Sequence, residues 1–442
     1  MATGLNHELN PGDPILDAVR EALAPELTPG VRIVLGLSGG LDSIVLLHAL
    51  ATLREPMSFE LSAVHVHHGL SPNADTWASF CIAQSKALGL ACRVVRVSVS
   101  DNPGEGLEQA ARVQRYAAFA SVPGEVLCLA HHQNDRAETF LLNLFRGASV
   151  TGLAGVPGTR FLGDKRLVRP LIDVPRSVMA AWADARGLCW IEDESNQDLR
   201  YRRNHVRHRV LPVIAESFPG VIKVLARTAG QMQEQLALMD RLAEVDAKSC
   251  RGPSGYLSVA SLKRLPEGAL RNVLRHAFTQ RGLQISSAQR MHALAKQLMT
   301  ARPEAEVLVR MGEIGIHLWR DQIWLDSSMN LPSPKSLALS VGKSIWADGE
   351  LQIHASGSVP IGLEICPLGC GQQFQPARRY RDTLTEHLRA KGVPPWVRAR
   401  LPGILHNGKL VWVAVLGPST EWLSEFDSSV EVVWKPKLSV KL

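Results

Sequence analysis

The chain predicts an α/β fold: a doubly wound, mainly parallel sheet, followed by a helical middle domain and a small α+β C-terminal domain. Three observations carry this expectation. Over residues 31–145 short β-branched runs alternate with helical patterns, which implies right-handed crossovers and a sheet covered on both faces. Polar or glycine-rich clusters follow the strands at residues 38–43, 65–68 and 131–138, and ligands of such sheets sit beyond the C-terminal strand ends. From about Phe218 the texture changes to long amphipathic helices, and 442 residues exceed what one core supports. The expected domains are residues 1–216, 217–326 and 337–442.

Residues 13–23 read as a short amphipathic helix that packs before the first strand. Val31, Ile33, Val34 and Leu35 have the composition of a buried strand. Gly36, Gly39 and Gly40 then let the backbone turn tightly and admit a ligand without Cβ interference. Asp42 and Ser43 suit the first turn of a helix that buries Ile44, Val45, Leu47 and Leu50. Further strands are expected at 59–65, 92–99 and 126–130, and helices at 77–88, 105–119 and 138–145. Val221, Val224, Leu225, Met232, Leu236, Met239, Leu242 and Val245 recur at three-to-four spacing, the mark of a long amphipathic helix. Helical patterns at 267–281 and 287–300 precede a small meander at 307–325 around Gly312, Gly315 and Asp321. Residues 327–336 (SSMNLPSPKS) are the best linker candidate, and the remainder mixes strands with a basic helix near 379–391.

Hydrophobic residues make up 45% and charged residues 21%, a globular balance. The net charge of +7 favours a polyanionic partner only weakly, so the placement of arginines matters more. Seven scattered cysteines fit a reduced, cytoplasmic interior, and the lone C-x₃-C at Cys366 and Cys370 lacks the second ligand pair of a zinc site. The polar N-terminus does not read as a signal peptide, and no apolar run reaches the ~18 residues that cross a bilayer. No membrane partner is expected.

The first chemical cluster is Ser38-Gly39-Gly40-Leu41-Asp42-Ser43, directly after a strand and opening a helix. Unpaired N–H groups and the helix dipole make this an anion site. The lysine of a Walker-type loop is missing, and the spacing is not Gly-x-Gly-x-x-Gly. Two serine hydroxyls and several N–H groups suit a diphosphate, with Asp42 placed to hold Mg²⁺. In the second cluster, residues 130–139, Asp135 and Glu138 share a helical face, where they could ligate a metal, accept a proton or merely complement the dipole. His131 and His132 end the preceding strand, a place where histidines commonly pack or orient neighbours. In the third, Arg112 and Arg115 share a face beside Tyr116, although Glu108 and Arg112 also suit a plain surface pair. The fourth is the densest positive field, with five arginines and two histidines in residues 200–209. Its guanidinium forks, without any lysine, suit phosphate contact more than solubility requires, and Tyr201 adds a stacking surface.

The first loop closely resembles that of the ATP pyrophosphatases, the PP-loop superfamily. The ordered set of SGGLDS at 38–43, HVHHGL at 65–70, ARVQRY at 111–116, AHHQNDRAET at 130–139, RPL at 169–171 and RNHVR at 203–207 resembles the tRNA(Ile)-lysidine synthetases. The stretch 378–402, ending VPPWVRARLP, is similar to that family's C-terminal segment. The resemblance implies an adenine nucleotide alpha hydrolase-like catalytic domain, with ATP and Mg²⁺ as cofactors. It implies adenylation of the wobble cytidine of a CAU-anticodon tRNA(Ile), followed by attack of free L-lysine. Ser38, Gly39, Gly40, Leu41, Asp42 and Ser43 would hold the nucleotide, with Asp42 and Asp135 on the metal. Asp42, Asp135, Glu138, Arg112, Arg115 and His131 would be catalytic, and Arg203, Asn204, Arg207, Arg378 and Arg379 would bind tRNA. Asn134-Asp135 stands where the family usually has two aspartates, which puts the essential role on Asp135; His67 replaces an asparagine, Arg136 a frequent glutamine, and Gly371-Gln372-Gln373 a more charged stretch.

Rival readings fare less well. A tRNA 2-thiolation enzyme on the same loop would want a reactive cysteine pair near the crevice, and an amidotransferase-coupled synthetase would want an N-terminal nucleophilic cysteine. A non-catalytic RNA-binding protein would have no use for the intact loop with Asp42. The oligomeric state is not legible, and a homodimer is compatible with the chain.

Overall fold

A computed structural model describes residues 12–98, 107–252, 256–281, 283, 288–301, 307–311, 314–326, 336–338, 342–346, 349–355, 362–369, 373–376, 382–425, 430–436 and 439–441. The chain forms two compact units, Met1–Leu238 and Met239–Leu442. Among the described residues no helix is long and apolar enough to cross a membrane.

In the first unit, α1 (Pro14–Leu23) is capped by the Asp13 carboxylate, which accepts from Ile15 and Leu16 N–H, and it buries Ile15, Leu16, Val19 and Leu23. The sheet strands are β1 (Arg32–Gly36), β2 (Glu60–His67), β3 (Cys92–Arg96), β4 (Val126–Cys128), β5 (Thr159–Leu162) and β6 (Lys165–Val168). Their spatial order is β3-β2-β1-β4-β6-β5, and every pairing is parallel except β5 on β6. The order reverses direction between β1 and β4, which places the ligand crevice beyond their C-terminal ends.

The helices of this unit are α2 (Leu41–Leu53), α3 (Ala74–Ala87), α4 (Leu107–Ser121), α5 (Gln133–Phe145), α6 (Val150–Leu153), α7 (Arg176–Asp184), α8 (Arg202–His205) and α9 (Leu211–Ser217). Ile33 and Leu35 of β1 join one core with Leu16, Ile44, Leu47 and Met179; Val34 joins the opposite core with Val64, Phe119, Leu127 and Leu167. A strand buried on both faces reads as an unbroken apolar run, as β1 does. Two features depart from expectation. Helix α5 begins at Gln133, before residue 138, because His132 caps it. The β5–β6 hairpin, turning at Gly163-Asp164 with Gly163 at φ +59°, was not expected at all.

Helix α10 (Val221–Ser249) is the long helix that the periodicity predicts. In the second unit, α11 (Val259–Leu262), α12 (Glu267–Thr279) and α13 (Ala288–Thr300) precede an antiparallel meander of β7 (Val307–Met311), β8 (Ile314–Trp319) and β9 (Gln322–Asp326). Arg320 and Asp321, at φ +48° and +61°, make the tight turn between β8 and β9. These elements surround one core that includes Leu270, Leu274, Phe278, Leu294 and Ile316; a separate core gathers Trp346, Leu351, Ile365, Phe374, Ile404 and Trp412. The expected linker, apart from Ser336, lies outside the described residues, as do Cys370 and the tRNA-binding candidates Arg378 and Arg379. Of the basic helix expected near 379–391, Leu384–Ala390 is helical.

Candidate active site

Between β1 and α2 the chain turns through Leu37-Ser38-Gly39-Gly40. Gly39 has φ +88°, and a Cβ there would stand 2.8 Å from Ile191 Cδ1 and 3.1 Å from Cys81 Sγ, so neither conformation nor space admits a side chain. The turn is pinned from within by Ser43. Its Oγ accepts from Gly39 N–H (3.0 Å) and Ser38 N–H (3.3 Å), lies 3.0 Å from Ser38 Oγ, and donates to the Gly40 carbonyl (3.0 Å). Ile191 N–H donates to the Gly39 carbonyl at 2.9 Å. Gly40 caps α2 without a side chain, so the first-turn N–H groups of Leu41 and Asp42 stay available to an anion. The Leu41 side chain is core, and only its backbone serves the loop.

Asp42 faces the N-terminus of α5. Its Oδ2 lies 3.5 Å from His132 Nε2 and its Oδ1 3.5 Å from Arg176 Nε, yet Oδ1 is buried without a hydrogen-bond partner. His132 forms a capping box with Asp135: Asp135 N–H donates to His132 Nδ1 (3.4 Å), and His132 N–H donates to Asp135 Oδ2 (3.0 Å). With Nδ1 accepting, His132 Nε2 points its proton between Asp42 Oδ2 and Asp135 Oδ2, each 3.5 Å away. Burial opposes charge on His132, but its hydrogen bond to Asp42 and the charges of Asp135 and Glu138 prevail and raise its pKa. For Asp135 burial again acts first and upward; His132, Arg203 and His131 overcome it and bring the pKa down to about 2. Asp135 is therefore ionised throughout the physiological range.

Glu138 is 1% exposed, and both its oxygens are taken. Arg203 Nε donates to Oε2 (2.9 Å), Arg207 Nε to Oε1 (2.6 Å) and Arg207 Nη2 to Oε2 (3.0 Å). Arg203 Nη2 also reaches Asp135 Oδ1 at 2.9 Å. These arginines are spaced i,i+4 on α8 and the π-helical turn Val206–Val210, so they point together at the two carboxylates. Buried Asn204 ties the segment down, donating to the carbonyls of Ser195 (2.8 Å) and Asp198 (3.0 Å). The exposed members of the basic run are Arg200, Arg202, His205 and Arg209.

The remaining candidates flank this centre. His131 Nδ1 accepts from Arg169 Nε at 3.1 Å, and burial pushes its pKa down to about 3. The Arg112 guanidinium stacks 5.1 Å from the Tyr116 ring, and Arg115 Nε donates to His68 Nε2 at 3.3 Å. Of the motif departures, Asn134 Oδ1 accepts from Arg176 N–H (3.2 Å), and His67 Nε2 lies 3.2 Å from Asp75 Oδ1. Thus Asp42, Asp135, Glu138, Arg203 and Arg207 form one contiguous network through His132. Sequence reasoning did not single out the bridge by His132 or the reach of Arg176. Histidine is not a favoured cap residue, so neither carried a local signal.

Among the described residues no group of three histidine, cysteine or acidic side chains could cage a metal ion. The orphaned Asp42 Oδ1 and the ionised Asp135 instead fit a cation that takes most of its ligands from phosphate and water.

Three family models match the chain: a PP-loop domain over residues 15–214, a TilS substrate binding domain over 257–324 and a TilS substrate C-terminal domain over 363–434. It is similar to the tRNA(Ile)-lysidine synthases of Azoarcus sp. (strain BH72), Nitrosomonas europaea and Alkalilimnicola ehrlichii, at 35%, 33% and 37% identity. Those matches cover 93%, 97% and 88% of this chain and 94%, 97% and 91% of theirs. The PP-loop model over residues 15–214 and the likeness along nearly the whole chain agree: the chain belongs to the tRNA(Ile)-lysidine synthase family.

Proposed function

We propose that this centre adenylates the C2 oxygen of the wobble cytidine in a CAU-anticodon tRNA(Ile), and that the ε-amine of free L-lysine then displaces AMP. The chain is a ligase that forms lysidine on tRNA(Ile) with ATP. In the first step the cytidine oxygen bonds to the α-phosphorus and pyrophosphate leaves. In the second a carbon–nitrogen bond forms and AMP leaves with the C2 oxygen. Activation is needed because a cytosine carbonyl is a poor electrophile. The lysine amine, with pKa ~10.4, must also shed a proton at a cost of roughly 4–5 kcal/mol at pH 7.

Ser38, Gly39, Gly40, Leu41, Asp42 and Ser43 hold the β and γ phosphates on the helix terminus, with Ser43 shaping the loop from inside. Asp42 and Asp135 would hold Mg²⁺, which would supply charge neutralisation of the leaving pyrophosphate when bound. A carboxylate with a pKa of about 2 is a weak proton acceptor at neutral pH, so Asp135 is better suited to a cation than to base work. Glu138, its oxygens engaged, orients Arg203 and Arg207. Arg112, Arg115 and His131 face the AMP and anticodon side. Residues 217–326 and 337–442, including Arg378 and Arg379, carry the body of the tRNA as two further domains. The substrate-domain models over 257–324 and 363–434 support that division. The six cysteines among the described residues are all free, which suits work in the reducing cytoplasm.

The observation that carries the mechanism is the Asp42 Oδ1 that accepts no hydrogen bond, beside a helix terminus without a side-chain cap and across from ionised Asp135. The test is incorporation of labelled lysine into a tRNA(Ile) transcript, with pyrophosphate release followed in parallel. Pyrophosphate release without tRNA, or lysine transfer without ATP, would sink it.

A further inference from the structure

Beside the centre lies a second group of arginines, Arg112, Arg160 and Arg169, gathered on one tyrosine. Arg169, directly after β6, is 3% exposed. It donates only to neutral acceptors: His131 Nδ1 (3.1 Å), the Pro157 carbonyl (2.7 Å) and the Tyr116 hydroxyl (3.5 Å). Arg160 of β5 stacks 4.8 Å from the Tyr116 ring, and its buried Nε has no hydrogen-bond partner. Arg112 of α4 stacks on the same ring at 5.1 Å. Among the described side chains no carboxylate lies within ion-pair distance of Arg160 or Arg169, whereas Arg203 and Arg207 are both matched to acids. Three guanidiniums around one phenol raise each other's cost. Burial and the neighbouring Arg160 and Arg112 weaken the hold of Arg169 on its proton, and the same cations lower the Tyr116 pKa against the effect of burial. Arg169 is a buried cation without counter-charge, which is costly unless an anion arrives from outside, and half-buried Arg160 and exposed Arg112 line the approach to it. Planar guanidinium forks match a phosphate.

We propose that Arg112, Arg160 and Arg169, arrayed on Tyr116, form a phosphate site separate from the glycine loop, filled when substrate binds. The group is a phosphate of the tRNA backbone or of the nucleotide, and the tRNA source rests on the function proposed above. The hydrogen bond from Arg169 to His131 joins this site to the strand end that carries His132 and Asp135.

The test uses the full chain with Arg160→Gln and Arg160→Lys, since Arg160 lies on the edge strand and outside the cores. Affinity for tRNA(Ile) is titrated without nucleotide across 50–200 mM salt, and ATP affinity is measured without tRNA. For a backbone phosphate, Arg160→Gln weakens tRNA binding roughly tenfold and lowers the salt-dependence slope by about one, while Arg160→Lys restores most of both. For a nucleotide phosphate, the loss and the lysine rescue fall in the ATP arm instead. Unchanged binding in both arms overturns the site, and so does a loss with an unaltered slope that lysine does not rescue. If the unmodified chain binds tRNA(Ile) but makes no lysidine, the proposed function fails while this site still stands or falls on the binding arms.

Discussion

Replacing Glu138 with alanine is the sharpest test of the ion network. The side chain is 1% exposed and receives three hydrogen bonds of 2.6–3.0 Å from Arg203 and Arg207. Removing one partner of a buried ion pair costs about 3–5 kcal/mol, because the surviving charges stay desolvated. Here the arginine side chains are 28% and 31% exposed and keep Asp135 at 2.9 and 3.5 Å, which puts the loss near the lower end, about 3 kcal/mol. For a unit the size of Met1–Leu238, each kcal/mol moves the midpoint by about 2–4 °C, so the transition should fall by about 6–12 °C. Glu138→Gln, which keeps the volume and one good acceptor, should lose about half as much. Thermal unfolding of the full chain followed by circular dichroism measures both. A shift below about 2 °C for Glu138→Ala would refute the structural role. An unshifted midpoint with lysine incorporation abolished would instead make Glu138 the proton acceptor.

Three other outcomes follow from the same geometry. Asp42→Ala should cost about 1–2 kcal/mol, since Oδ2 gives up its hydrogen bond with buried His132 while Oδ1 has none to lose, yet reduce labelled-lysine incorporation at least ~100-fold; activity within a few-fold of the parent would remove Asp42 from the chemistry. Gly39→Ala must hold φ +88° against Ile191, a strain of about 1–3 kcal/mol, and calorimetric titration should find ATP binding weakened at least ~10-fold. His131 has its pKa depressed from 6.5 to about 3, so the unfolded chain takes up the proton first as pH falls. Its contribution is complete above pH 6.5 and declines by about 1.4 kcal/mol per pH unit below that, towards pH 3. Urea unfolding at pH 7 and pH 5 should show a smaller pH loss for His131→Gln than for the parent, and equal losses would contradict the buried neutral imidazole.

What the sequence by itself determined is local. Ile33, Val34 and Leu35 in succession already imply a strand buried on both faces, and both cores confirm it. The spacing of Ser38 to Ser43 is a backbone instruction, because glycine conformations and a helix terminus depend on neighbours a few residues away. The period of residues 221–245 likewise predicts α10. Tertiary structure decided how the charges pair. Glu138 and Arg203 are 65 residues apart, and their contact depends on where the segment after α7 comes to rest against α5. As a result two arginines of the basic run face inward, while Arg202 and Arg209 face solvent. The Gly163-Asp164 turn did carry a hairpin signal, but the meeting of Arg160 with Tyr116 and Arg169 needed the sheet order as well. Backbone preference is written within a few residues, whereas a side chain's partner is chosen by strands and helices that the chain brings together from far apart.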